Sequence, residues 1–475
     1  MKKAVIIMFV LCIAVSLCAC GNKTIESSID YDISAVLEEN TLTCEQTTTV
    51  TNVYADDLTE SVFHLLPNTY CQDAINKAYS GELSRYGGIE ISEVTVNGVA
   101  ADVTYTENKE YVTIKHSAAK KGDNLIFTFK YKVTVPASAT RLGETEGVYN
   151  LSNFYPQLSV YEDGFRTDSF NKIGDNSFSE VASYKVKLTC STSLVTACGC
   201  ECTSKTESGE QQTLVFEGKN VRDFAMVLSS DFNVLSGKAG DVNVYYFYRQ
   251  DEQAQAKLDL AISAISTYSE TFGKYNFTTF SVVATPFDNE GMEYSGLVYV
   301  SDKSRVPEET ILHETAHQWW YGAVGSDPFN EAYLDEGLTT FSSYYYYLLN
   351  GKEDEYRACM KSVKRAYATY ERLQGVRAEG ENASKLNRPT SEFTEYRYTM
   401  VEYYKGAMMF DNLLALYGKD KVNALLKEYY ASGLNKIVGK EDLIRVSKQK
   451  LGNHVEGVLN GWLEGETVSA TFAAN

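Results

Sequence analysis

The pentapeptide His313-Glu314-Thr315-Ala316-His317 constrains this chain more than any other feature. Only five histidines occur in 475 residues, so a pair four apart around an acid is unlike background composition. Positions i and i+4 meet only on an α-helix, where they lie one turn apart on one face. Two imidazoles so placed can grip one metal ion, and the glutamate between them can reach a water at that ion. The segment also opens like a helix. Pro307 suits the first turn, and Glu308 and Glu309 suit the positive end of the dipole.

Two histidines are an incomplete site. Catalytic zinc takes three protein ligands and keeps a fourth position open. A longer motif with glycine at 320 and histidine at 323 fails, because Trp320 and Ala323 stand there. The third ligand is then an acid from the following segment, with Glu331, Asp335 and Glu336 as candidates. Asn330 and Thr340 are within reach as ligand-orienting groups, although plain packing is the better reading of both. Trp319 and Trp320 read as core.

The rest of the chain reads as two domains behind a leader. Lys2 and Lys3 precede an apolar run from Ala4 to Ala19, which has the form of a signal peptide over residues 1–19. Leu17-Cys18-Ala19-Cys20 resembles a bacterial lipobox, which implies lipid on Cys20 and an extracytoplasmic protein anchored to the bacterial cell membrane. Two acyl chains hold a protein stably where one is marginal. Residues 20–35 read as a polar tether. From 36 to 236, alternating runs such as "NLIFTFKYKVTVP" predict an N-terminal, β-sandwich-like domain of antiparallel sheets. From 237 to 475 a few strands give way to long helical patterns closed by glycines, a mainly helical domain with a small sheet. The fold class is therefore α+β. The 44 basic against 63 acidic side chains give a net charge of −19, which repels a phosphate backbone and excludes nucleic acid as a partner. Export allows thiols to pair. If "CGCEC" is a strand, Cys198, Cys200 and Cys202 share a face, and a disulfide with Cys190 across a hairpin is the favoured outcome over a metal knuckle.

HExxH followed after 18 residues by Glu336 resembles the gluzincin zinc peptidases of the aminopeptidase N and leukotriene hydrolase family. Three further segments carry the resemblance. "NEGMEYSG" at 289–296 is similar to the family's Gly-x-Met-Glu-Asn exopeptidase motif, "YYKGA" at 403–407 to its Tyr-x-Lys-Gly segment, and "VRDFAMVLSSDF" at 221–232 to the last strands of its β domain. The resemblance implies a thermolysin-like catalytic domain and one zinc ion on His313, His317 and Glu336. It implies Glu314 as general base and Tyr403 as the donor that stabilises the oxyanion. It implies Gly291, Met292 and Glu293 as the substrate-binding segment, with Glu293 taking the free amino terminus of a peptide. The motif departs from the family at both ends, with Glu290 and Tyr294 in place of glycine and asparagine. The long C-terminal helical domain of larger relatives has no counterpart up to Asn475. The activity so implied is a membrane-anchored zinc aminopeptidase. An endopeptidase of the same fold, and a surface-binding lipoprotein without turnover, are the alternatives.

Overall fold

The computed structural model describes residues 28–377 and 384–465. The expected leader, Cys20 and the start of the tether lie outside the described residues. Among those described, no helix is long and apolar enough to cross a membrane.

The N-terminal half is built on an eight-stranded sheet whose central strands bury every second residue. Ile29–Glu38 turns Ile29, Tyr31, Ile33 and Ala35 inward and Asp30, Asp32 and Ser34 outward. Asn124–Thr134 and Ala182–Ser191 alternate in the same way. One face packs on two four-stranded sheets, and an aromatic-rich core fills the space between. Three sequence expectations change here. The first strand starts at Ile29, inside the expected tether, because its apolar residues are hidden between acids. The large sheet is not purely antiparallel. Ile29–Glu38 runs parallel to Ala182–Ser191 at its centre, and the long connection between them includes further strands of this sheet and strands of both smaller sheets. The catalytic sheet begins at Asn233 rather than at 237, since Asn233–Ala239 forms a hairpin with Val242–Tyr248.

The cysteines are also placed differently. "CGCEC" is not one strand. Val195–Cys198 ends before a bend at Gly199 and Cys200, and a second strand starts at Glu201. Cys198 and Cys200 are buried and Cys202 is exposed. All seven described cysteines, Cys190 included, are free thiols.

The second domain has a five-stranded sheet in the order Asn233–Ala239, Val242–Tyr248, Thr279–Thr285, Leu297–Ser301, Gly291–Tyr294. Its last strand is an antiparallel edge. Helix α1 (Ala254–Thr271) covers the sheet, and α2 (Pro307–His317), α3 (Glu336–Leu349) and α4 (Gly406–Tyr417) follow. Trp319 and Trp320 are core as expected, their indole N–H groups satisfied by Gly273 O and Ser342 Oγ. Burying one such indole is worth on the order of 4–6 kcal/mol by area. These two therefore anchor the segment just after His317.

Candidate active site

Helix α2 turns Ile311, Leu312, Thr315 and Ala316 into the core and leaves His313, Glu314 and His317 on the other side. That side meets the start of α3, where Glu336 is the first residue. The Nε2 atoms of the two histidines are 3.0 Å apart, and Glu336 Oε2 is 3.3 Å from one and 3.4 Å from the other. A tetrahedral zinc with bonds of about 2.0–2.1 Å separates its ligand atoms by about 3.3 Å. The three donors thus sit at zinc's spacing and present two nitrogens and one oxygen. Of the candidate acids, Glu336 is the one that joins the histidines. Glu331 instead accepts from the backbone N–H of Lys440 at 3.1 Å.

Asp335, weighed as a rival ligand, has another role. Its Oδ1 accepts from His317 Nδ1 at 2.5 Å, and Thr339 Oγ1 lies 3.2 Å from the same nitrogen. This contact fixes the ring so that Nε2 faces the metal position. Burial pushes the Asp335 carboxyl up to about 6, against the pull of His317. Burial works against the imidazolium of His317, yet Asp335 and Glu293 outweigh it and raise the ring's pKa. For His313 burial wins and the pKa falls. Glu336 is held low by both histidines despite its burial.

Glu314 is 5% exposed, and its Oε2 is without a hydrogen-bond partner. Burial pushes its carboxyl up to about 8, opposed by His317 and reinforced by Glu336 and Asp335. A divalent charge beside it would draw it back toward ionisation. Glu293 lies across from it, and oxygen atoms of both acids fall within 4.8 Å of a His317 nitrogen. Burial raises Glu293 strongly, His317 opposes, and Glu314 and Asp175 add to the rise.

The edge strand Gly291–Tyr294 carries Glu293 past α2 at close range. A β-carbon at 291 would overlap Glu314 Oε1 and approach Thr310 Cγ2 to 2.7 Å, so glycine leaves room for the Glu314 carboxylate where it stands. Met292 lines the cleft and packs into the apolar cluster between the domains. The two departures from the family motif sit apart from the metal position, Glu290 at the edge of the cleft and Tyr294 inside the domain interface. Glu290 accepts from Ser304 Oγ at 2.5 Å on the rim, and the Tyr294 hydroxyl donates to Ser152 Oγ at 2.9 Å inside the domain interface.

Tyr403 stands on a π-helical turn, Thr399–Lys405. Its ring stacks on His313 with centroids 5.8 Å apart, and its hydroxyl donates to Glu336 Oε1 at 2.6 Å. Burial and then Glu336 raise its pKa, so it stays a protonated donor. Tyr404 lines the cleft farther along with Ser343 and Tyr344. Thr340 also lines the cleft, with its hydroxyl unpartnered. Asn330 donates to Asp327 and does not join the site.

These groups share one cleft of about 410 Å³. A larger groove of about 770 Å³ runs between the eight-stranded sheet and residues 276–278. The described metal-ligating clusters lie elsewhere, so chemistry belongs to the smaller cleft. Sequence reasoning missed Arg141 and Asp175, which reach its wall from the N-terminal domain. The signal for Asp335 was present as an acid beside the third ligand. Arg141 and Asp175 had none, since only the tertiary fold brings them there.

The two-domain fold and the donor set of His313, His317 and Glu336 share the layout that the sequence resemblance to the gluzincins implies. Residues 256–462 match the family described as Peptidase family M1 domain. Rat aminopeptidase O is 21% identical over 240 residues, 44% of this chain and 29% of that protein. The puromycin-sensitive aminopeptidase of Caenorhabditis elegans is 25% identical over 250 residues, 47% of this chain and 25% of that protein. The chain thus spans well under half the length of these curated relatives. The crystal structure of an M1 zinc metallopeptidase from Deinococcus radiodurans has the same two-domain fold. It superposes with a TM-score of 0.67 at 19% identity, over 93% of this chain and 95% of that one.

Proposed function

We propose that this protein is a zinc-dependent aminopeptidase that removes residues from the free N-terminus of peptides. The observation that carries this reading is the 3.0–3.4 Å triangle of His313, His317 and Glu336, with Glu314, Glu293 and Tyr403 around it. When bound there, zinc would supply Lewis acidity, lowering the pKa of water at its open position and polarising the scissile carbonyl. Glu314 accepts the proton of the attacking water and passes it to the leaving amine. Tyr403 keeps its proton and donates to the oxygen on which negative charge develops. Glu293 pairs with the substrate's ammonium group. The edge strand Gly291–Tyr294 offers main-chain groups to an extended peptide. Arg141 and Asp175 line the same cleft as Glu293, and the acid at that position favours exopeptidase over endopeptidase action by matching a free ammonium group. In support, the Deinococcus radiodurans protein has been crystallised as a mutant bound to a Tyr-Ser-Ala substrate.

The test compares a free-amine peptide with its acetylated twin, using zinc-loaded protein and Glu314→Gln. The free peptide is hydrolysed and the acetylated one is not, and Glu314→Gln lowers kcat by about 10²–10⁴-fold. Equal cleavage of both peptides would falsify the aminopeptidase reading, and an active Glu314→Gln would remove the general base. The lipobox-like Leu17–Cys20 supports a second element of the proposal, anchoring to the outer side of a bacterial cell membrane by lipid on Cys20. Full-length protein then partitions into a detergent phase and Cys20→Ala does not. Identical partitioning of the two would remove the anchor.

A further inference from the structure

The N-terminal domain contributes residues to the cleft, and Arg141 is the one arginine among them. Arg141 donates from NH1 to Asp175 Oδ1, and this is the one hydrogen bond its guanidinium makes among the described residues. Asp175 is 5% exposed, whereas the Arg141 side chain keeps 19% of its surface open, and both line the cleft. The buried acid therefore holds the guanidinium, whose remaining N–H donors have no protein partner among the described residues while the side chain lines the cleft. Arg141 also feels the charge of Glu293. The charged groups that line the cleft with it include Glu290, engaged with Ser304, and Lys172, whose Nζ lies 3.5 Å from Tyr79 O.

We propose that Arg141 is a specificity-determining residue that selects peptides whose first residue is acidic. This rests on the aminopeptidase reading. The first residue places its ammonium at Glu293, so its own side chain is the part of the substrate that reaches Arg141. His313, Tyr344 and Tyr404 line the same cleft and are available to the rest of the peptide. A glutamate or aspartate at the first position then completes two matched pairs, ammonium with Glu293 and carboxylate with the guanidinium fork. An apolar first residue would strip water from the guanidinium and return nothing. Asp175 neutralises Arg141, and Lys172 adds a further positive charge to the same cleft.

The probes are glutamyl- and glutaminyl-p-nitroanilide, which share a shape and differ in charge. Zinc-loaded wild type should give a kcat/KM at least roughly tenfold higher for the glutamyl compound. Arg141→Gln should bring that ratio to one or below, and Arg141→Lys, which keeps charge without the fork, should fall between. The ratio is read within each variant, so a general loss of activity does not enter it. The double variant Arg141→Gln with Asp175→Asn serves if the lone Asp175 prevents folding. A wild type that cleaves both compounds equally, or a ratio unchanged by Arg141→Gln and by Arg141→Lys, overturns the assignment. Failure to cleave alanyl-, glutaminyl- and glutamyl-p-nitroanilide alike would instead bring down the aminopeptidase reading on which it rests.

Discussion

Asp335 and Glu336 are neighbours in sequence with different tasks. Glu336 turns its carboxylate to the metal position, while Asp335 holds the far side of the His317 ring at 2.5 Å. The histidines were legible because metal ligation imposes fixed spacing on a helix, whereas Glu336 was singled out from its neighbouring acids only by the family resemblance. Asp335 was legible only as an acid of uncertain purpose, because a one-residue step at a helix start changes direction in a way that composition does not reveal. Its contribution is through basicity: a carboxylate on Nδ1 strengthens Nε2 as a ligand. Asp335→Asn keeps the shape and removes the charge. We expect zinc affinity to fall by about 10–100-fold, measured by competition with a chelator. Unchanged affinity would reduce Asp335 to a helix-start residue that happens to touch the ring.

At the scale of elements, the site depends on α3 and α4 approaching closely. A β-carbon on Gly337 would lie 2.7 Å from Gly406 Cα and 2.8 Å from Glu402 O, so backbone meets backbone. Gly337 follows the ligand Glu336, and Gly406 follows the π-helical turn that carries Tyr403. The glycine pair thus sets the distance between ligand and hydroxyl. The Tyr-x-Lys-Gly segment was readable, but the purpose of its glycine was not, because its partner lies in another helix. Gly337→Ala must push the helices apart. We expect a loss of about 1–3 kcal/mol in denaturant unfolding together with a lower kcat. Gly457→Ala is the comparison, since nothing stands within 4 Å of its added methyl. There a helical Gly→Ala change should raise stability by roughly 0.4–1 kcal/mol. Equal effects at both positions would contradict the packing argument.

Across the whole molecule, the two domains share a buried polar seam. Arg222 is buried and its guanidinium donates to Tyr321 O at 2.9 Å, Ser179 O at 2.5 Å and Lys436 O at 3.2 Å. Next to it, Asp223 accepts from Ser295 N at 2.9 Å and from the Tyr321 hydroxyl at 2.7 Å. Tyr321 lies four residues after His317 and Ser295 two after Glu293, so the seam ties the β domain to both sides of the site. Alternation and helical periodicity made the two domains readable. The seam was not, because "VRDF" reads equally well as the polar end of a strand. Burial pushes Asp223 from its ordinary 3.8 up to about 6, although both donors oppose the rise. The sign follows from linkage. Between these values the folded protein holds a proton that the unfolded chain has released, so this group's contribution to stability falls as pH rises from about 4 to 6 and is level above. A shift of this size corresponds to about 3 kcal/mol. Asp223→Asn carries no such proton. Its hydrogen-bond loss lowers stability by a pH-independent amount, while its difference from wild type narrows as pH rises through that window. Denaturant unfolding of both proteins at intervals between pH 4 and 7 measures the difference. A gap that stays constant with pH would mean that Asp223 remains ionised in the seam, held by Ser295 and Tyr321 more strongly than burial opposes it.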